Sequence, residues 1–147
     1  AMRRLIIHYS SGTQDWRVHA QALVQHQRLD PDDAAAVQRL WWFGRLIANT
    51  DMHLDNLSFV PADGRLRLAP AYDMLPMAYA PLGGGEVPVV QARFELPLPA
   101  EGLAWKAACE GALRFWDAAA TDARISADFR ALCRENLAAL ARLGRAV

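Results

Sequence analysis

Asp51, Asn56 and Asp73 are oxygen-bearing side chains whose order along the chain suits phosphoryl transfer. The first two lie in Asn49-Thr50-Asp51-Met52-His53-Leu54-Asp55-Asn56, where six of eight residues are polar. The third lies in Ala69-Pro70-Ala71-Tyr72-Asp73-Met74-Leu75-Pro76. Moving a phosphoryl group to a hydroxyl needs a base oxygen beside the acceptor's proton. It also needs Mg2+, which takes hard oxygen ligands, a few from protein and the rest from phosphate and water. Asp51 and Asn56 stand five positions apart, and Asp73 follows after an intervening hairpin. Either aspartate alone would more often be a cap or a turn former. The spacing together with the hairpin is what turns three common residues into a candidate site.

Several elements must position these residues. Trp16, Ala20, Leu23 and Val24 predict an amphipathic helix over about Asp15–Arg28. Asp30 as N-cap, Pro31 at the first helical position, and Asp32 and Asp33 at the positive helix end announce a second helix. Its Val37, Leu40, Trp41, Gly44 and Ile47 share one face, while Trp42, Phe43 and Leu46 make its second half apolar on the other side too. Such a helix is expected to be buried between layers. It runs out near Ala48-Asn49, so the polar segment should emerge from the protein centre. Leu57–Val60, the turn Pro61-Ala62-Asp63-Gly64 and Arg65–Leu68 predict a β-hairpin. Residues 69–100 hold six prolines and Gly83-Gly84-Gly85 and read as mostly irregular chain. The glycine triplet lacks the strand–loop–helix context of a phosphate loop. Two C-terminal helices follow. One runs over about Glu101–Ala119 with Leu103, Ala107, Leu113 and Trp116 as its apolar face. The other, over about Ser126–Leu143, carries Phe129, Leu132, Cys133, Leu137 and Leu140 between a Ser126 cap and a Gly144 stop. At the N-terminus, Leu5-Ile6-Ile7 reads as a short strand and Ser10–Thr13 as loop.

Composition bounds the rest. With 147 residues, 53% hydrophobic and 22% charged, the chain is expected to form one globular domain with a real core. Sixteen basic residues balance sixteen acidic ones, which gives no electrostatic case for nucleic acid or an anionic membrane as the main partner. No apolar run reaches the ~18 residues of a membrane span, and the N-terminal apolar run is too short for a signal peptide. Cys109 and Cys133 form no metal motif and read as buried free thiols of a reducing cytosol. His8, His19 and His26 form no ligand cluster, and the tryptophans read as core. Ala1 ahead of Met2 is expected to be an expression remnant, leaving residues 2–147 as a single domain.

The segment Leu46–Phe59 resembles the catalytic loop of HipA-type Ser/Thr protein kinases, and Ala69–Pro76 is similar to their metal-binding segment. The likeness runs from about Trp16 to the C-terminus, and Trp41-Trp42-Phe43-Gly44 resembles the YjjJ-like branch. The resemblance implies a mainly α kinase-like C-terminal lobe, a helical bundle with a small β-hairpin carrying the catalytic loop. It implies a bacterial, cytoplasmic enzyme that uses ATP and Mg2+ on a protein substrate, often as the toxin of a toxin–antitoxin pair. Nucleic acid would then be met only through an antitoxin. Residue by residue, Asp51 would be the catalytic base and His53 would order the loop. Asn56 and Asp73 would be Mg2+ ligands, and Tyr72 would lie near the nucleotide.

The chain departs from that pattern in three places. Ala48 stands where the family usually has Gly, and Asp55 where Lys or Gly is common. No Gly-rich loop or phosphate-binding Lys precedes Trp16, and the only lysine is Lys106. The chain by itself is therefore expected to fold without acting as a kinase, with the face for an N-terminal lobe open to that lobe or to self-association. Two other functions stand beside the kinase: a catalytically incomplete remnant that binds or regulates, and a metal-dependent phosphoesterase using Asn49, Asp51, His53 and Asp73.

Overall fold

The computed structural model describes residues 13–86 and 88–147, so the expected strand at Leu5–Ile7 lies outside the described residues. The chain divides into two compact units. One comprises residues up to Trp41 together with Asp51–Met74, and the other Trp42–Thr50 together with Leu75–Val147. Among the described residues the architecture is mainly α with one small two-stranded hairpin. No helix among the described residues is long and apolar enough to cross a membrane.

In the first unit, α1 (Trp16–Gln25) starts where the Asp15 carboxylate accepts the Arg17 N–H, 2.9 Å away. It ends three residues before the sequence expectation. Gln27 takes a left-handed φ of +54°, with the Gln27 N–H on the Val24 carbonyl and the Arg28 N–H on the Leu23 carbonyl. That is a helix-ending motif usually given to Gly. Helix α2 (Pro31–Leu46) contributes its first eleven residues to this unit. The hairpin pairs β1 (Phe59–Ala62) with β2 (Arg65–Leu68), Phe59 opposite Leu68 and Ala62 opposite Arg65. Its loop is therefore the two residues Asp63-Gly64, not the four expected. Both take positive φ, +47° and +76°, as a tight hairpin turn of matching twist requires. Pro61 is tolerated inside the strand because its partner Leu66 turns its N–H outward to the Arg28 carbonyl, 2.8 Å away.

The core of this unit is a cluster around Trp16, Leu23, Leu29, Val37, Phe59 and Leu66, closed by Met52, Leu54 and Leu57 of the polar segment. Each such side chain stabilises the fold by roughly 1.5–3 kcal/mol on burial. Apolar residues thus alternate with the polar ones between positions 51 and 57, and they nail the segment to the core. Outside the core, Arg65 pairs with Asp30 and Arg67 with Asp33, which tie β2 to the start of α2.

In the second unit, α3 (Gly102–Thr121) packs along α4 (Ala127–Gly144). The buried face of α3 is Trp105, Ala108, Cys109, Ala112, Trp116 and Ala120. Leu103 and Ala107, expected on that face, are exposed, Leu103 at 88%. Helix α4 starts as expected, with Ser126 Oγ accepting the Phe129 N–H. Its buried positions are Cys133, Leu140 and the polar Asn136, whose amide donates to the Tyr79 hydroxyl at 2.8 Å. The indole of Trp116 donates to the Leu46 carbonyl, and that of Trp105 to the Glu95 carbonyl. Both cysteines are buried and free, and burial pushes both thiols up. Gly144 is the last helical residue of α4. A Cβ there would stand 3.3 Å from Cys109 Sγ, so glycine serves close packing at the helix end.

Candidate functional site

Asp51, His53, Asn56, Tyr72 and Asp73 all belong to the first unit. The segment that carries the first three is fixed from two directions. From below, Met52, Leu54 and Leu57 sit in the core. From the side, the Trp16 indole donates to the His53 carbonyl at 3.0 Å, and the Leu54 N–H donates to the Gln14 side chain at 3.2 Å. The Asn56 N–H donates to the same His53 carbonyl, closing a short 3-10 turn over Leu54–Asn56. Trp16 was legible as core, but its polar edge and Gln14 were not recognised as supports of the loop. An indole N–H that is buried must find an acceptor, and that was the available signal.

The Asn56 side chain donates its Nδ2 to the Asp51 carbonyl at 2.9 Å. An amide held by its nitrogen has its oxygen turned the other way, available as a hard ligand. The Asp51 carboxylate is about half exposed, within reach of a substrate hydroxyl. His53 lies between two acids: its Nε2 is 3.5 Å from Asp51 Oδ1, and its Nδ1 is 4.0 Å from Asp55 Oδ2. His53 thus spans the loop from one carboxylate to the other, and its carbonyl anchors the loop's backbone.

Asp73 is one of four non-glycine residues with positive φ among those described, at +54°. A left-handed aspartate costs on the order of 1 kcal/mol and persists only where its surroundings hold it. The preceding residue provides one hold. The Tyr72 hydroxyl donates to the Asp55 carbonyl and meets Ser58 Oγ at 2.8 Å. Tyr72 therefore binds the segment containing Asp73 to the loop containing Asn56.

The Asn56 amide oxygen and the Asp73 carboxylate are both hard oxygens, the chemistry that Mg2+ takes as ligands. Among the described residues, no three of His, Cys, Asp and Glu gather closely enough to hold a metal, so the phosphoesterase reading has no ligand set there.

The sequence matches the family described as HipA-like C-terminal domain over residues 5–142. The chain belongs to that family. It is also 37% identical over 127 residues to Toxin YjjJ of Escherichia coli (strain K12), a stretch that spans 86% of this chain and 29% of that protein. No solved structure matches. Ala48 has φ +59°, its N–H reaches the Arg45 carbonyl, and the Asn49 N–H reaches the Gly44 carbonyl. This is the left-handed cap that ends α2, which is why glycine is the usual residue there. Alanine keeps the conformation at a cost in strain.

Proposed function

We propose that this HipA-like chain is the catalytic-loop lobe of a Ser/Thr protein kinase that moves the γ-phosphate of ATP to a protein hydroxyl. The observation that supports the proposal is the Asn56 Nδ2 hydrogen bond to the Asp51 carbonyl, which ties the two residues proposed as metal ligand and base into one turn. Asp51 would accept the proton of the attacking hydroxyl. The Asn56 amide oxygen and the Asp73 carboxylate would hold Mg2+. When bound, Mg2+ would offset the negative charge that develops on the transferred phosphoryl group. His53, between Asp51 and Asp55, would keep the base from swinging away. The cationic clamp for the phosphates would come from an N-terminal lobe. The similarity to a protein named as a toxin supports the toxin role of a toxin–antitoxin pair, with an antitoxin as partner.

The test is transfer of labelled γ-phosphate to protein by a form that carries an N-terminal lobe. Asp51→Asn is nearly isosteric and lies in a half-exposed loop, so it should abolish transfer and leave Tm almost unchanged. Transfer at a comparable rate by the variant removes Asp51 from the role of base.

A further inference from the structure

A phenol has one proton to give. The Tyr72 hydroxyl gives it to the Asp55 carbonyl, so at its 2.8 Å contact with Ser58 Oγ it must be the acceptor. The hydrogen bonds therefore run in one direction, from Ser58 to Tyr72 to the Asp55 carbonyl. The two ends of this relay flank Asn56, at positions 55 and 58, and its middle member immediately precedes Asp73. The hairpin alone does not bring the two segments this far. Its ladder runs down to Phe59 opposite Leu68, and the Ala69 N–H adds one more bond to the Ser58 carbonyl at 2.9 Å. Pro70 then has no N–H to continue the pairing. From Ala69 onward the chain also has to deliver Asp73 in a left-handed conformation at φ +54°, which needs holding.

We propose that Tyr72 is a positioning residue, a hydroxyl latch that holds Asp73 in register with Asn56 so that both oxygens address one divalent cation. The latch rests on the metal-site reading of Asn56 and Asp73 given above. It assigns the hydroxyl of Tyr72 a role separate from any contact between its ring and a nucleotide. Groups that orient metal ligands typically change affinity 10–100-fold when removed, and this latch is about half exposed, so the lower end of that range applies.

The experiment is Mn2+ titration of the full chain, followed by the free-ion electron paramagnetic resonance signal and by broadening of the Asn56 side-chain amide in NMR. Tyr72→Phe keeps the ring and deletes only the hydroxyl. It should weaken Mn2+ binding about 10-fold. Ser58→Ala should weaken it less, and should add nothing in the Tyr72→Phe background, because both changes break one relay. A loss of packing would instead add. Asn56→Ala should abolish binding. If Tyr72→Phe binds Mn2+ within twofold of the parent while Asn56→Ala does not bind, the latch is wrong and the metal site stands. If the parent binds no Mn2+, or Asn56→Ala binds as well as the parent, the metal-site reading fails and the latch fails with it. Should Tyr72→Phe not fold, Ser58→Ala decides: unchanged affinity there overturns the latch.

Discussion

Replacing Ala48 by glycine should stabilise the protein, although the same change inside a helix destabilises it. Ala48 is the left-handed residue after α2, at φ +59°, with the Asn49 N–H bonded to Gly44 and the Ala78 N–H bonded to the Ala48 carbonyl. None of these bonds involves the methyl group. Relief of left-handed strain contributes about 1.5 kcal/mol. Against it stand about 0.7 kcal/mol for the freer unfolded chain and about 0.3 kcal/mol for a half-buried methyl. The net gain is about 0.5 kcal/mol. Ala35→Gly, at an exposed position within α2, is the matched comparison and should cost about 1 kcal/mol. The two alanine-to-glycine variants should thus differ by about 1.5 kcal/mol, or roughly 3–6 °C in Tm for a chain of this size. Urea denaturation with equal m-values reads the difference directly. If Ala48→Gly loses stability as Ala35→Gly does, α2 does not end in a left-handed cap and the loop leaves the helix by another path.

Three further outcomes follow from the geometry. Trp16→Phe keeps most of the buried ring and removes the donor to the His53 carbonyl, so it should cost about 2 kcal/mol in denaturation, and a loss below about 0.5 kcal/mol would mean the bond does not hold the loop. At Asp15, burial raises the carboxyl, but the hydrogen bonds and charge of Arg17 outweigh it and hold the carboxyl below its ordinary 3.8. Its ionised form therefore stabilises the fold above about pH 4, and that contribution fades as pH falls through the lowered value. Asp15→Asn should accordingly be less stable than the parent at neutral pH and converge with it in acid; an unchanged gap at pH 2 refutes the pairing. Isothermal titration of the chain with Mg2+-ATP should give affinity weaker than micromolar, because the one lysine, Lys106, is far in sequence from the loop and Asp51, Asp55 and Asp73 add negative charge. Micromolar binding would show that the phosphate clamp is already present.

What the sequence discloses and what it hides divide along the distance over which an interaction acts. Caps and turns act over a few residues, and Ser126 and Asp63-Gly64 do what their types predict. Asp51 and Asn56 stand five positions apart, so their sharing one loop was readable, although the bond from the Asn56 amide to the Asp51 carbonyl was not expected. The expected face of α3 holds at Trp116 and fails at Leu103 and Ala107, because an alanine-rich helix offers several stripes of similar hydrophobicity. Trp105 and Trp116 are eleven residues apart, three helical turns, and with Ala108, Ala112 and Ala120 they mark the buried stripe. In such a helix the largest side chains are the better guide, because they bury the most area.

The supports of the site were hidden for a different reason. Trp16 reaches His53 across 37 positions, Gln14 reaches Leu54 across 40, and Tyr72 reaches Ser58 across 14. Each depends on where α1 and the hairpin bring the chain, and no local spacing encodes it. Trp16 acts through the donor of a residue read as core and Tyr72 through the hydroxyl of one read as a nucleotide contact, while Gln14 carried no reading at all. The Asp51–Asn56 pairing is thus written locally, across five positions, while its supports are supplied from far away in sequence. On the kinase reading proposed above, a variant that spares Asp51, Asn56 and Asp73 should still lose function when Trp16 or Tyr72 is loosened, with the loss seen in metal affinity and loop order while the secondary structure stays intact.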